Sequence, residues 1–378
     1  MGTVLLAGSF GSGNPAEEAL LTAFSEALPD ATLRPTTRFP TGTPALARCE
    51  PVPASNPAAV LRAAWSADAT VLCGRNAFGD PPPFGRCFPS RRLASSLALL
   101  LSARARARPR AIVGVTVDPL RTPVSRRLAR GLVRWSDLLV LRDDESAQAL
   151  AATGAATPFR VGADPAWTVV APSHAQPGAN GDGSGGAGRR IVVALGPPVA
   201  GDRALGLLAE GLARVLRAGV EVVLQPWRTR GDGADTVLAR YLADRLDPAP
   251  PISRPPADLR AVRDGLNGSG LVIPLRYHAL IAAAAAGVPS LALEDRPEIV
   301  GLARRLGQPV ASLGLSPDQL AQAIMRGLDH PPPSRAAVAA QVSAADEGFR
   351  LLRLLTSGGR SADAEEVSGL RLDPEPRA

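Results

Sequence analysis

Arg276, Tyr277 and His278 interrupt an otherwise apolar stretch, residues 271–293, LVIPLRYHALIAAAAAGVPSLAL. A guanidinium forks onto carboxylates and phosphates. An imidazole changes charge near neutral pH and can carry a proton in a reaction. Together they suit a small anionic substrate and an acid–base step. The flanking pattern says where they sit. Residues 271–275 are a short apolar run with β-branched members, which fits a buried strand. Residues 279–286 are nearly all alanine, the best helix former. Gly287 stands where a helix C-cap is wanted, and Pro289 follows where a helix cannot continue. Residues 288–293 then read as a strand. Arg276 and His278 therefore fall at the carboxyl end of a parallel strand, beside a helix N-terminus. Open α/β sheets bind ligands there, and the helix dipole favours anions.

A second set lies near the start of the chain. Residues 3–7 read as a strand, residues 8–14 (GSFGSGN) as a glycine-rich turn, and residues 15–28 as an amphipathic helix. Gly11 and Gly13 let backbone N–H groups approach a ligand closely. Asn14 is a good N-cap and Pro15 a good first helical residue. Glu17 and Glu18 fall in the first turn, where they would repel phosphate. They suit hydroxyl groups or a general-base role, and equally they complement the helix dipole.

These residues must be held by a larger frame. The chain has 378 residues, enough for two domains, and a hydrophobic share of 46%, enough for real cores. Aromatics make up 4%, so those cores are built from Ala, Val and Leu. Strand and helix patterns alternate along the whole chain, which predicts doubly wound parallel sheets. Residues 172–188 (PSHAQPGANGDGSGGAG) form a Gly/Ser-rich linker. The expected organisation is an N-terminal Rossmann-like domain over 1–171, a C-terminal one over 189–356 with a terminal helix, and a disordered tail over 357–378. A helix is expected over 147–153, after a loop at 142–146.

All 42 basic residues are arginine, and the net charge is +7. That charge favours an anionic ligand or an anionic membrane surface, so peripheral membrane contact is an open expectation. No nucleic-acid motif is present, and nucleic acid is not expected as a partner. Cys49, Cys73 and Cys87 have neither disulfide-framework nor zinc spacing, which fits a reducing compartment. No His/Asp/Glu cluster has metal-ligand spacing. The N-terminal residues lack a signal-peptide pattern, and no apolar run reaches membrane-spanning length. A cytoplasmic protein is expected.

The order of the motifs resembles the polysaccharide pyruvyl transferase family. Its opening loop, G-x-x-G-x-G-N-x-G-D-E-A, is matched by Gly8-Ser9-Phe10-Gly11-Ser12-Gly13-Asn14-Pro15-Ala16-Glu17-Glu18-Ala19. Its V-R-D-x-x-S is matched by Leu141-Arg142-Asp143-Asp144-Glu145-Ser146, and its A-D-P-A-[FW] by Ala163-Asp164-Pro165-Ala166-Trp167. Its R-L-H-A-L-I…G-V-P is matched by Arg276-Tyr277-His278-Ala279-Leu280-Ile281 and Gly287-Val288-Pro289. The chain departs from the family at Gly74-Arg75-Asn76, where three glycines are usual, and at Asp118, where a glycine is usual.

The resemblance implies two Rossmann-like domains with parallel sheets facing a cleft, as in B-type glycosyltransferases. It implies transfer of the enolpyruvyl group of phosphoenolpyruvate to two sugar hydroxyls as a ketal, with release of phosphate. His278 is then the candidate acid and Arg276 the catalytic cation, with Glu18 or Glu17 taking the hydroxyl proton. Gly11, Gly13, Asn14, Glu17, Arg142, Asp164 and Tyr277 complete the substrate-binding set. No cofactor or metal is implied; phosphoenolpyruvate is the donor, and a sugar or lipid-linked glycan is the acceptor. A cytoplasmic enzyme follows, with peripheral contact at the inner membrane face left open. The alternatives are a B-type glycosyltransferase using a nucleotide sugar, or a catalytically silent relative that binds a glycan precursor.

Overall fold

The computed structural model describes every residue except 1, 41–42, 80–90, 156, 171–187, 197–200, 229–233, 295 and 358–378. The expected linker and tail therefore fall largely outside the described residues. The chain divides into two compact units. The first comprises Met1–Ser12, Leu20–Pro165 and Ser343–Ala378; the second comprises Gly13–Ala19 and Ala166–Val342.

The first unit is built from β1 (Thr3–Phe10), the part of α1 (Pro15–Ala27) from Leu20 onward, β2 (Thr32–Thr37), β3 (Val52–Pro53), α2 (Pro57–Ser66), β4 (Ala69–Phe78), α3 (Arg91–Ala105), β5 (Arg110–Val117), α4 (Pro123–Arg134), β6 (Leu138–Leu141), α5 (Asp144–Ala151) and β7 (Arg160–Val161). Its seven strands form one sheet in the order β3-β2-β1-β4-β5-β6-β7. Every pairing is parallel. β5 and β6 are buried along almost their whole length, as central parallel strands must be. Helices α2 to α5 pack Ala64, Leu93, Leu100, Leu132 and Leu150 onto one face of this sheet.

The second unit continues with α6 (Trp167–Val170), β8 (Gly188–Ala194), α7 (Gly201–Arg217), β9 (Glu221–Gln225), α8 (Ala234–Ala243), α9 (Leu259–Gly265), β10 (Ser269–Pro274), α10 (Tyr277–Ala285), β11 (Ala292–Leu293), α11 (Pro297–Arg305), β12 (Val310–Ala311), α12 (Pro317–Leu328) and α13 (Arg335–Thr356). β8 lies between β10 and β9, and both pairings are parallel. A bridge from Val272 to Ser290 extends this array towards the parallel β11–β12 pair. The second half of α13 belongs to the first unit. There the rings of Phe24 and Phe349 meet edge-on at 5.1 Å.

Three boundaries differ from expectation for local reasons. β1 runs on to Phe10, because Thr37 pairs with Phe10 beyond an irregularity and its hydroxyl donates to the Phe10 carbonyl at 2.7 Å. The opening loop is thus shorter than residues 8–14. α5 begins at Asp144 rather than Ala147, because Asp143 caps it by accepting from the Ser146 N–H at 2.8 Å. The strand expected over 288–293 is a ladder only at Ala292–Leu293, with the single bridge at Ser290 before it. No described helix is long and apolar enough to cross a membrane.

Candidate functional site

The site is assembled at the carboxyl ends of β8, β9 and β10. β10 is buried along its whole length and ends at Pro274. Arg276 then takes an extended backbone (φ −135°, ψ 139°) as the N-cap of α10, with no side-chain cap bond of its own. Gly287, at φ 67°, ends the helix in the left-handed region that glycine adopts without strain. α10 has almost no polar side and is buried, as an all-round apolar helix must be. Every one of its residues from Tyr277 to Ala285 is buried except His278. His278 is therefore the one half-buried residue of that helix, and it lies in the first turn, at the positive end of the dipole. Its ring meets the Tyr277 ring at 5.6 Å in an edge arrangement.

Arg276 is clamped. Its Nε donates to the Leu195 carbonyl at 2.7 Å, and its Nη2 donates to both carboxylate oxygens of Asp235, at 2.6 Å to Oδ1. Asp235 lies in the first turn of α8 and is 1% exposed. Its Oδ2 also accepts from the backbone N–H groups of Trp227 and Arg228, both at 3.1 Å. One buried carboxylate thus pins the loop after β9 and orients the cation after β10. Gly196 makes room for the arrangement. A Cβ there would come within 2.7 Å of the Leu275 carbonyl oxygen and 2.8 Å of the Arg276 Cγ.

The charges around Arg276 converge. Burial lowers its pKa, Asp235 opposes that shift, Arg228 adds to it, and the Glu17 carboxylate opposes it again. Arg228 is half-buried and makes no ion pair among the described residues. The Nη1 of Arg276 likewise has no hydrogen-bond partner among them, and the side chain is 13% exposed. Among the described residues, Arg228, Asp235 and Glu17 are thus the charges that act on the Arg276 guanidinium at the N-terminus of α10. The free donors are those of Arg228 and the outer edge of Arg276.

The opening loop has its own constraint. Gly11 sits at φ 82°, where a Cβ would meet the Thr37 Oγ1 at 2.5 Å, so glycine is required. Gly13 is at φ 71°. Asn14 caps α1: its Oδ1 accepts from the Ala16 N–H at 3.2 Å, and its carbonyl accepts from the Glu17 and Glu18 amides at 3.0 and 3.1 Å. Glu18 is buried, at 5% exposure. Gly13–Ala19, with both acids, groups with the second unit, in keeping with the pull of Glu17 on the Arg276 charge.

Arg142 and Asp164 have a different setting in the first unit. Arg142 follows β6, is 5% exposed, and is held by Asp143 at 3.0 Å and Asp164 at 3.5 Å. Asp143 also accepts from the Ser146 hydroxyl, whose oxygen in turn accepts from the Val117 amide at 3.1 Å. Gly114, at φ 65°, leaves space for Pro165, whose Cδ lies 2.4 Å from where a Cβ would be. The two resembling motifs at 141–146 and 163–167 thus tie the ends of β5, β6 and β7 together. Asp143 and Asp164 both bear on the one Arg142 guanidinium there.

Sequence reasoning missed Asp235, Arg228 and Gly196. Asp235 is 41 residues from Arg276 along the chain, and no local pattern links them. The only signal was position: all three stand just beyond strand ends or at a helix start. Elsewhere, a hollow of about 810 Å³ on the first unit is lined by Arg34, Glu50, Val52, Leu61, Arg62 and Trp65. It holds no histidine, and its one acid is tied to Arg34 at 2.8 Å, so it offers no catalytic set. Among the described residues no group of three His, Cys, Asp or Glu side chains could hold a metal ion.

Comparison with known proteins adds family and fold. The family model described as polysaccharide pyruvyl transferase matches residues 16–296. No curated protein matches the chain in sequence. Among solved structures, the UDP-GlcNAc 2-epimerase of Neisseria meningitidis bound to UDP-GlcNAc is similar at TM-score 0.58 and 11% identity, over 93% of this chain and 99% of that one. HepE of Anabaena in complex with UDP-glucose is similar at TM-score 0.57 and 14% identity, over 97% and 99%. The UDP-GlcNAc 2-epimerase of Methanocaldococcus jannaschii is similar at TM-score 0.57 and 13% identity, over 95% and 100%. At these identities the likeness is one of fold, the α/β fold of B-type glycosyltransferases.

Proposed function

The chain belongs to the polysaccharide pyruvyl transferase family, and we propose that it moves the enolpyruvyl group of phosphoenolpyruvate onto two hydroxyls of a sugar in a cell-wall or exopolysaccharide precursor. The observation that carries this reading is the cationic turn between β10 and α10: Arg276 at the helix N-cap, with Arg228 near enough to act on its charge. Phosphoenolpyruvate is compact and carries a carboxylate and a phosphate. Two guanidiniums and a helix N-terminus match those groups.

In the reaction, the central carbon of the enol becomes the ketal carbon. It gains bonds to two sugar oxygens and loses its bond to the phosphate oxygen. The methylene carbon takes one proton and becomes a methyl group. The two hydroxyl protons balance this step, one ending on the methyl carbon and one on the released phosphate. His278, the half-buried residue of α10 two positions after Arg276, delivers the proton. Arg276 and Arg228 stabilise the departing phosphate, and Asp235 fixes the angle of the Arg276 guanidinium. Glu18 or Glu17 accepts a hydroxyl proton, and Gly11, Gly13 and Asn14 offer backbone to the acceptor sugar. Tyr277 packs beside His278 and sets its ring. The chemistry calls for no cofactor beyond the donor. A cytoplasmic setting goes with this reading, supported by cysteines without disulfide-framework spacing.

A second reading is supported by the solved structures that hold UDP-sugars. In that case the same helix N-terminus would receive a diphosphate. Thermal-shift titrations separate the two readings, because a ligand of the folded state raises Tm with its concentration. The first reading expects a rise with phosphoenolpyruvate and none with UDP-GlcNAc or UDP-glucose. The reverse pattern would establish the second.

A further inference from the structure

The first unit carries one face on which positive charge has no local counterweight. α2, α3 and α4 lie side by side, α2 against α3 and α3 against α4, on one side of the seven-stranded sheet. None of the three contains an aspartate or a glutamate. α2 carries Arg62, α3 carries Arg104, and α4 carries Arg127, Arg130 and Arg134, all exposed. None of these five makes an ion pair among the described residues. Elsewhere on the unit Arg34 pairs with Glu50, Arg108 with Asp68 and Arg110 with Asp137.

The same face leaves apolar groups in solvent. Leu61 and Trp65, one turn apart on α2, are 42% and 51% exposed, Leu101 on α3 is 41% exposed, and Val124 on α4 is 55% exposed. The guanidinium of Arg106 lies 5.4 Å from the centre of the Trp65 ring, and those of Arg104 and Arg134 lie 4.1 and 5.2 Å from the centre of the Trp135 ring. Tryptophans alternating with arginines, with aliphatic side chains projecting between them, match the layered chemistry of a bilayer surface. Guanidiniums bridge lipid phosphates, indoles sit at headgroup level, and Leu and Val reach the acyl boundary.

We propose that the α2–α3–α4 face is a docking surface for a bilayer rich in anionic phospholipid. Charge complementarity selects the partner: a leaflet of net negative charge attracts each arginine close to it by roughly fivefold in binding. The exposed Leu61, Leu101 and Val124 favour lipid over nucleic acid, whose phosphodiester surface has nothing to receive them. The proposal goes beyond the transfer reaction and stands apart from it, because binding needs neither donor nor acceptor.

Co-sedimentation of the full chain with vesicles tests it. Vesicles of phosphatidylcholine alone are compared with vesicles containing phosphatidylglycerol, at low and high salt, and a duplex DNA is added as a competitor. The expected result is binding only to the phosphatidylglycerol vesicles, weakened by salt, with a blue shift of tryptophan emission that is lost in Trp65→Phe. Arg130→Glu/Arg134→Glu should weaken vesicle binding by about tenfold or more. Arg203→Glu/Arg217→Glu, the same charge change on α7 of the second unit, should weaken it much less. Arg130→Gln/Arg134→Gln, read beside circular dichroism, keeps the test valid if the reversed variant unfolds. Equal loss in the α7 variant, equal binding to phosphatidylcholine, or full displacement by the DNA would overturn the proposal.

Discussion

Asp235 holds Arg276 through both carboxylate oxygens, and its Oδ2 also holds the backbone amides of Trp227 and Arg228. The carboxylate is 1% exposed and the guanidinium side chain 13%. Removing one partner of a buried pair leaves an uncompensated charge and costs about 3–5 kcal/mol. Asp235→Ala should therefore lower unfolding stability by that order in a urea titration. It should also loosen the β9 loop, so phosphoenolpyruvate affinity should fall as well. Asp235→Ala/Arg276→Met should recover part of the stability and none of the affinity.

Gly196→Ala separates position from charge. The added methyl must push against the Leu275 carbonyl and the Arg276 Cγ. Overpacking of this kind costs about 1–3 kcal/mol. The expected variant folds, melts a few degrees lower, and binds phosphoenolpyruvate at least about tenfold more weakly, a loss of roughly 1.4 kcal/mol in binding. Calorimetric titration and a thermal melt read the two effects side by side.

Arg228→Ala removes a cation that makes no ion pair among the described residues. Stability should change little, because no buried partner is orphaned. Affinity for phosphoenolpyruvate should fall by about tenfold or more, since a charge-assisted contact to an anion is worth about 1.5–3 kcal/mol. An unchanged dissociation constant would take Arg228 out of the seat.

Cys73 makes a pH prediction. It is 1% exposed on β4, and burial pushes its thiol pKa well up. A group whose folded pKa is raised above its unfolded value adds stability that is complete below the unfolded pKa and is lost as pH rises past it. The loss should begin near pH 8.5, with a slope of up to about 1.4 kcal/mol per pH unit from this group. Urea titrations across alkaline pH should show that slope reduced in Cys73→Ala. Folded protein should also leave Cys73 unmodified by thiol reagents until it is denatured.

Much of the fold was legible because parallel strands are short apolar runs and these helices carry strong end signals. Asn14 before Pro15 and Gly287 after an alanine run each fixed a terminus within a residue or two. The misplaced ends were those set by tertiary bonds, such as β1 extended by Thr37 and α5 started by Asp143. At the site, Arg276 and His278 stood out because they break an apolar stretch. Asp235, Arg228 and Gly196 did not, because their roles come from contacts across strands that no local spacing encodes. The α2–α4 face was legible only as arginine richness; adjacency of the three helices turned it into a surface.

Calorimetric titration of phosphoenolpyruvate into the unmodified chain and into Arg276→Lys tests the central claim most directly. Lysine keeps the charge and loses the planar fork that Asp235 orients. The account predicts saturable binding to the unmodified chain, at least about tenfold weaker binding to Arg276→Lys, and no heat with UDP-GlcNAc in either. Equal affinity of the two proteins for phosphoenolpyruvate, or binding of UDP-GlcNAc in its place, would contradict it.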